Sequence, residues 1–263
     1  MRARKRFGQH FLDPAWVGRV VDAIGPAPDD LFLEIGPGRG ALTLALAPRV
    51  KQIVAVEIDR DLAPELSGRV PANVRIVQGD VLRVEADRLF ESGRQIRVAG
   101  NLPYNISTPI LFRLLALAED GGRIRDATLM LQREVADRLA AHPDTGDWGV
   151  LSVCLQLRSR IDRKLALPPG AFRPTPRVHS AVVRVSYHAP RPAVQSLDLF
   201  DALVRSVFTQ RRKMLANALA SFAESRGLDA RSSLSTAGID ERRRPETLAV
   251  DEFVRLADVF ASA

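Results

Sequence analysis

The chain has 263 residues and a formal net charge of +7, and apolar residues make up 46% of it. These values exclude a disordered chain and predict one large domain plus a small one. No apolar run approaches the ~20 residues that a transmembrane helix needs, and the single cysteine, Cys154, leaves no internal disulfide and no zinc motif. We therefore expect a cytoplasmic protein that has no structural metal and whose surface attracts polyanions.

The first predicted element is a helix that begins after Asp13 and ends at Gly25. Asp13 is a typical N-cap, Pro14 is favoured in the first turn, and Gly25 favours a helix end. Further along the chain, short apolar runs alternate with helical stretches. The predicted strands cover residues 31–35, 53–57, 74–77, 96–99, 127–131, 161–167 and 181–187. The predicted helices between them cover residues 41–47, 62–67, 109–118, 133–141 and 150–158.

This alternation predicts an α/β fold with a doubly wound sheet that is parallel in at least its first five strands. The last two strands are joined by residues 168–176, which are rich in proline and contain no crossover helix. They should therefore form an antiparallel pair at one edge of the sheet. A seven-stranded sheet with this ending resembles the Rossmann-like fold of class I methyltransferases.

The pattern changes after Tyr187. Residues 188–192 have the composition of a linker, and only helical periodicity follows, at residues 197–208, 212–222, 228–237 and 251–261. We therefore predict two domains, an α/β domain over residues 1–189 and a small helical domain over residues 190–263.

A glycine-rich turn follows the first predicted strand. Gly36 and Gly38 lie where this strand turns into a helix, so a ligand can approach the backbone next to a helix N-terminus. In nucleotide-binding sheets, an acid about 20 residues further on binds the ribose hydroxyls, and Glu57 lies 21 residues after Gly36. Gly36, Gly38 and Ala41 also fit the dinucleotide pattern G-x-G-x-x-A, which keeps a nicotinamide enzyme as an alternative.

Two further acids favour S-adenosylmethionine over a dinucleotide as the cofactor. Glu34 precedes the first glycine, where it would repel a pyrophosphate. S-adenosylmethionine has no phosphate and carries an ammonium group, so it tolerates acids nearby. Asp80 ends the third predicted strand, where its carboxylate can accept a hydrogen bond from the adenine amine of the cofactor or simply close a turn.

Residues 101–104, Asn-Leu-Pro-Tyr, follow the fourth predicted strand at the carboxyl edge of the sheet, beside the cofactor crevice. The exocyclic amine of adenine is a poor nucleophile because its lone pair is delocalised into the ring. The side-chain oxygen of Asn101 and the carbonyl of Leu102 can accept its two N–H bonds and draw the lone pair towards a methyl donor. Pro103 fixes the turn, and Tyr104 offers a flat face to an extruded base. The motif predicts methylation of adenine in RNA; the alternative is a β-turn with a half-buried tyrosine.

A second aromatic residue, Phe172, lies in the stiff loop between the last two strands. We predict that Phe172 closes on the other face of the target base. The alternative is an anchor in the core beneath the loop.

Eight segments together resemble the bacterial small-subunit (16S) rRNA adenine N6,N6-dimethyltransferase family over nearly the whole chain. They are residues 7–12, 34–40, 56–59, 79–80, 100–109, 132–136, 172–180 and 211–215. The resemblance implies methyl transfer at residues 101–104 and implies cofactor contacts at His10, Leu12, Gly36, Glu57, Asp80 and Asn101. His10 stands where many relatives have asparagine. The implied contact with the cofactor can therefore be made by the backbone of His10 instead of its side chain.

The resemblance also implies the reaction product, namely two adjacent N6,N6-dimethyladenines near the 3′ end of 16S rRNA. The implied partner is this rRNA within the assembling 30S subunit, and we expect the protein to be a monomer. Two basic clusters are the predicted RNA contacts, although such runs are often only solvated surface. The clusters are Arg4, Lys5 and Arg6, and Arg211, Arg212 and Lys213; a third basic run covers residues 242–244.

Two other functions remain open from the sequence. An antibiotic-resistance methyltransferase that acts on large-subunit rRNA would share the fold and nearly the same motif. A protein that binds RNA or cofactor without catalysis would share the fold alone, but the intact motif at residues 101–104 argues against lost chemistry.

Overall fold

The computed structural model describes residues 10–85, 94–120 and 122–263. Two compact units emerge from the contacts within the chain. Unit 1 comprises the chain up to Ala136 together with Arg160–Tyr187, and unit 2 comprises Asp137–Ser159 and His188–Ala263. Unit 2 therefore includes residues 137–159, which the sequence had assigned to the first domain.

Nine strands belong to the described residues. They are β1 (Phe11–Leu12), β2 (Leu31–Ile35), β3 (Gln52–Glu57), β4 (Val74–Gln78), β5 (Ile96–Asn101), β6 (Ile124–Gln132), β7 (Ser159–Leu167), β8 (Phe172–Arg173) and β9 (Ser180–Tyr187). The ten α-helices in the same residues are α1 (Pro14–Ile24), α2 (Ala41–Leu46), α3 (Leu62–Ser67), α4 (Ser107–Glu119), α5 (Arg133–Leu139), α6 (Val150–Arg158), α7 (Leu197–Phe208), α8 (Leu215–Glu224), α9 (Ala230–Thr236) and α10 (Val250–Ala261).

The main sheet has seven strands in the order β4-β3-β2-β5-β6-β9-β7. Its first five strands are parallel, β9 runs antiparallel to β6, and β7 lies beside β9 at the edge. Every residue of β2 is buried, because a central parallel strand is covered on both faces. The predicted α/β fold with a Rossmann-like seven-stranded sheet is confirmed.

A second, two-stranded sheet was not predicted from the sequence. Strand β1 pairs antiparallel with β8, so that Phe11 faces Arg173 and Leu12 faces Phe172. The segment before α1 is thereby tied to the loop between β7 and β9. This pair lies against the core of unit 1, in which Leu12, Phe172 and Met130 are all buried.

Two arginines of the sheet hold the C-terminus of α1. Arg97 on β5 is 4% exposed, pairs with Asp30 and Asp126, and donates to the last carbonyls of α1 and its cap. Arg184 on β9 donates to two carbonyls of the same helix end. Helix-end carbonyls have no partner within the helix, so these guanidinium groups fix α1, and with it β1, on the sheet.

Unit 2 is helical, with α7 packed on α8 and α10, and α6 packed on α7. Helix α6 is buried over nearly its whole length, since Leu151, Val153, Leu155 and Leu157 all lie in the interior. A helix without a polar face needs partners on several sides, which explains why residues 137–159 pack with the C-terminal helices. Helix α8 begins at Leu215 and not at Arg212, because residues 209–213 form turns.

Across the described ranges, no helix is both long enough and apolar enough to cross a lipid bilayer.

The close approach of β5 to β2 at Gly100 generates a stability prediction. A Cβ atom on Gly100 would lie 2.6 Å from the carbonyl oxygen of Ile35 on β2, and backbone atoms cannot move aside without disturbing the sheet. We expect Gly100→Ala to lower the free energy of unfolding by about 1–3 kcal/mol, as overpacking does. Urea denaturation followed by circular dichroism measures this loss.

Gly18→Ala is the matched control, because a Cβ atom there meets nothing within 4 Å on an exposed face of α1. This substitution should stabilise the protein by about 0.5–1 kcal/mol through helix propensity. Equal effects of the two substitutions would show that the contact between β2 and β5 tolerates a methyl group.

Candidate active site

A cavity of about 370 Å³ opens in unit 1 at the carboxyl ends of β2, β3 and β5. In a doubly wound sheet this edge is where ligands bind. Nine residues predicted from the sequence line the cavity: His10, Leu12, Gly36, Gly38, Glu57, Asn101, Leu102, Pro103 and Tyr104. The structure thus brings together most of the predicted cofactor residues and the whole of the 101–104 motif.

The glycine-rich turn has a backbone that side chains would not tolerate. Gly38 has a φ of +57°, a conformation that favours glycine, and a Cβ atom there would lie 3.0 Å from the Phe11 ring. Strand β1 therefore packs directly on the turn. The guanidinium group of Arg39 covers the Phe11 ring at 4.6 Å, which closes this side of the cavity.

Glu57 ends β3 and is 4% exposed. Its Oε2 accepts from the backbone N–H of Gly38 at 2.9 Å, and its Oε1 accepts from Asp59 N–H at 2.9 Å. Burial raises the pKa of Glu57 although these two hydrogen bonds oppose the shift. A carboxylate has about four lone-pair sites, so both oxygens can still accept from hydroxyl groups of a ligand.

Glu34 is the second-last residue of β2, beneath the same turn, and is 1% exposed. Burial raises its pKa to about 7, and the neighbouring charge of Glu57 adds to the shift, while Thr43 opposes it. The Oε2 atom of Glu34 has no hydrogen-bond partner among the described residues. A buried polar atom without a partner is costly, so a donor group placed in this cavity would be stabilised there.

The side chain of Asn101 has a fixed orientation. Its Nδ2 donates to the His10 carbonyl at 2.6 Å. Because a carbonyl oxygen can only accept, the NH₂ group must face His10, and Oδ1 is the atom left to accept from a ligand. The adjacent Leu102 donates its own N–H to the Met130 carbonyl at 3.1 Å, which anchors the turn to β6.

Tyr104 lies at the end of this turn with its ring half-buried. Its hydroxyl is 3.0 Å from the Ser180 Oγ atom, and the His10 ring stacks on it with centroids 5.3 Å apart. Burial raises the pKa of Tyr104, so the phenol is neutral at physiological pH. The tyrosine therefore presents an uncharged aromatic surface beside the two acceptors of Asn101 and Leu102.

The structure contradicts the prediction that Phe172 closes on the target base. Its side chain is 0% exposed and belongs to the hydrophobic core. The reason is the pairing of β8 with Leu12 of β1, which turns the ring inward. Phe172 is thus the core anchor that the sequence left as the alternative.

Asp80 is not one of the described residues that line the cavity. Its Oδ1 accepts from Leu82 N–H at 3.0 Å, and its Oδ2 lies 3.8 Å from the Arg83 guanidinium group. This is the turn role that the sequence also allowed, and a contact with a cofactor at Asp80 stays a prediction.

The cavity also contains residues that the sequence did not single out as ligand contacts. Met130 forms part of it from β6, and Ile58 follows Glu57 with 43% of its surface exposed. Arg173 and Asp13, 3.6 Å apart, lie at the ends of β8 and β1. The position of Ile58 after the strand-end acid was a usable signal, whereas Arg173 reaches the cavity only through the β1–β8 pair.

The predicted RNA contacts differ in what their side chains do. Arg4, Lys5 and Arg6 lie outside the described residues. In unit 2, Arg211 pairs with Glu246 and donates to the carbonyls of Thr145 and Gly146. Arg212 and Lys213 are exposed. Arg211 thus holds a loop in place, while its two neighbours face solvent.

Within the described part of the chain, no group of three or more His, Cys, Asp or Glu side chains is arranged to hold a metal ion.

The buried Glu34 generates a pH prediction. Its pKa is raised from 4.5 to about 7, so the folded state binds more protons than the unfolded state between these values. Raising the pH through this window should therefore lower the unfolding free energy of the wild type relative to Glu34→Gln, by about 3 kcal/mol in total. Urea denaturation at pH 4.5, 5.5, 6.5 and 7.5 measures the difference.

Glu65→Gln, on the exposed face of α3, is the control for removing a carboxylate without burial. All other titrating groups are present in both proteins, so their contributions to the pH dependence of the unfolding free energy largely cancel. A difference between wild type and Glu34→Gln that stays constant with pH would show that Glu34 is charged in the folded protein.

The comparisons with known proteins agree with this geometry. A family model described as ribosomal RNA adenine dimethylase matches residues 1–262. Curated relatives named ribosomal RNA small subunit methyltransferase A include one from Pseudomonas fluorescens, 45% identical over 99% of this chain and 94% of that protein. Another, from Bordetella bronchiseptica, is 46% identical over 100% of this chain and 96% of that protein.

Two solved structures resemble the chain over nearly its full length. A dimethyladenosine transferase from Plasmodium falciparum has a TM-score of 0.76 at 22% identity, covering 94% of this chain and 96% of that chain. The 23S rRNA methyltransferase ErmE has a TM-score of 0.68 at 26% identity, covering 95% of this chain and 99% of that chain. At 22% identity, the likeness to the dimethyladenosine transferase shows the fold alone.

These matches exclude a nicotinamide enzyme, which is the alternative that the glycine pattern at residues 36–41 leaves open. The family match covers the α/β unit and the helical unit alike. The chain therefore belongs to the ribosomal RNA adenine dimethylase family and is a methyltransferase that acts on adenine in ribosomal RNA.

Proposed function

We propose that the protein transfers methyl groups from S-adenosylmethionine to the N6 amines of two adjacent adenines near the 3′ end of 16S rRNA. The product is N6,N6-dimethyladenosine, made while the small subunit assembles in the cytoplasm. The observation that carries the proposal is the fixed Asn101 amide, whose Oδ1 is left to accept from an adenine amine. The 45% and 46% identity to relatives named for the small subunit favours this substrate over large-subunit rRNA.

The cavity residues fit S-adenosylmethionine. This cofactor carries hydroxyl groups and an ammonium group but no phosphate. Glu57 has lone pairs for ribose hydroxyls, and the buried Oε2 of Glu34 lacks a donor among the described residues. Two acids at the glycine-rich turn suit a cationic ligand and would repel a pyrophosphate. We accordingly propose Gly36, Gly38, Glu57 and Leu12 as cofactor contacts.

When bound, S-adenosylmethionine supplies an electrophilic methyl group; the chain's own residues prepare the amine. Asn101 Oδ1 and the Leu102 carbonyl accept the two N–H bonds, and Pro103 has no N–H that could compete for these acceptors. Tyr104 supports the face of the base. In the first transfer, accepting both N–H bonds draws the nitrogen lone pair out of the ring plane; in the second, one of the two acceptors holds the single N–H that remains. The extra proton of each methylated amine passes to water. Catalysis rests on positioning in a preformed polar site.

Asn101→Ala should separate chemistry from binding. We expect kcat to fall on the order of 10²-fold, as for removal of one preorganised polar contact, while the Kd for S-adenosylmethionine changes little. Single-turnover methylation and isothermal calorimetry measure the two quantities. Glu57→Ala should show the reverse pattern, with weakened cofactor binding. Unchanged turnover in Asn101→Ala would remove this side chain from the chemistry.

Unit 2 carries a basic surface that we propose as an rRNA contact. Leu215 N–H donates to the Arg243 carbonyl at 2.7 Å, so the start of α8 lies against the segment around residues 241–244. The basic runs at residues 211–213 and 242–244 therefore lie close to this contact. Arg243 is held by Glu252, as Arg211 is held by Glu246. Four exposed residues form the remaining surface: Arg212, Lys213, Arg242 and Arg244.

Replacing both Arg212 and Lys213 by alanine should reduce the salt dependence of RNA binding. The slope of log K against log salt should fall by about 0.7–0.9 for each lost phosphate contact. Fluorescence anisotropy with a 16S rRNA fragment from 50 to 200 mM KCl measures the slope. Arg211→Ala is the control, and we expect it to lower the melting temperature of unit 2 while the slope changes less. Equal slopes for the double variant and the wild type would place these residues outside the RNA interface.

The substrate is tested with tritiated S-adenosylmethionine and ribosomal subunits from cells that lack this methylation. Label in N6,N6-dimethyladenosine from small subunits, and none from large subunits, is the expected result. Label from large subunits alone would favour a resistance-type methyltransferase. Absence of label despite measured cofactor binding would favour a non-catalytic binding protein. Light scattering of the same sample tests the monomer that we propose.

A further inference from the structure

The imidazole of His10 has a role that the cofactor assignment does not explain. Its ring stacks on Tyr104, with centroids 5.3 Å apart and planes inclined by 26°. Its Nδ1 lies 2.7 Å from the Pro174 carbonyl oxygen, in the loop that follows β8. The side chain thus bridges the catalytic turn and this loop, while its backbone carbonyl holds the Asn101 amide.

The hydrogen bond to Pro174 fixes the ring. A carbonyl oxygen can only accept, so Nδ1 must carry the proton. The hydrogen bond therefore holds the ring in its orientation against Tyr104.

The position of the Tyr104 ring follows from these contacts. One face is covered by His10, and the hydroxyl is tied to Ser180, which is 3% exposed at the start of β9. Because His10 covers one face of the ring among the described residues, a base would stack on the opposite face. Phe172 cannot contribute a second aromatic wall, because it is 0% exposed in the core.

We propose that His10 is a positioning residue, which holds Tyr104 from behind so that the target adenine stacks on the opposite face. This inference rests on the proposed function. It assigns the His10 side chain to the base side of the site, and its backbone carbonyl to Asn101. The cofactor then has no contact with the imidazole.

Three variants separate the ring from its hydrogen bond. His10→Ala removes both, His10→Asn keeps a donor without a ring, and His10→Phe keeps a flat ring without the donor. We expect His10→Ala to lower kcat on the order of 10- to 100-fold, as small displacements of reacting groups do, with an unchanged Kd for S-adenosylmethionine by calorimetry. His10→Phe should recover more of the rate than His10→Asn.

A second readout reports stacking without methyl transfer. An RNA fragment with 2-aminopurine at the target position should lose fluorescence on binding, because the base stacks on Tyr104. His10→Ala should restore much of this fluorescence, and Tyr104→Ala should restore most of it. Thermal unfolding of each variant checks that the fold is kept.

Two results would overturn the proposal. If His10→Ala weakens cofactor binding as Glu57→Ala does and leaves the 2-aminopurine signal unchanged, the imidazole serves the cofactor. If His10→Ala raises kcat or RNA affinity, the imidazole occupies the site of the base. Failure of the wild type to label small subunits would instead count against the proposed function, and the quenching assay would still report whether His10 controls the Tyr104 face.

Discussion

The hydrogen bond from the Asn101 amide to the His10 carbonyl joins the two halves of the active site. It fixes the orientation of the Asn101 amide, so that its Oδ1 atom is left to accept from an amine. The bond needs the segment before α1 to stay above the end of β5. That placement depends on β1 pairing with β8, and on Arg97 and Arg184, which hold the far end of α1 on the sheet.

Two buried carboxylates at one turn are costly for the folded protein. Two backbone N–H groups partly offset the cost of burying the Glu57 carboxylate, whereas one oxygen of Glu34 has no hydrogen-bond partner among the described residues. Burial favours the neutral acid in both groups. A cationic ligand with hydroxyl groups would offset this cost, because it would bring hydrogen-bond donors and a positive charge to the two acids. The two acids therefore suit the cofactor that we propose.

Local sequence patterns predicted the elements that depend on local physics. Strand β2 and helices α1, α3, α6 and α7 have the predicted bounds, since apolar runs, caps and proline positions define them. The β1–β8 pair could not be predicted, because it joins two-residue segments about 160 positions apart and has no periodicity. Missing this pair also caused the error at Phe172. A lone aromatic residue in a proline-rich loop looks exposed in the sequence, and only the partner strand shows which way the ring turns.

The basic runs show a different limit on what the sequence can predict. Counting positive charges in the sequence treats all members of a run alike, yet the chain uses Arg211 and Arg243 internally, each with a glutamate and with carbonyl groups. Arginine is suited to this because its planar fork binds several acceptors at once. Backbone hydrogen bonds from Leu215 and Ala216 bring the start of α8 to the 241–244 segment, so the exposed neighbours of the two arginines lie close to one contact. The anchored arginines thus stabilise the fold, and their exposed neighbours supply the charge of the surface that we propose as an rRNA contact.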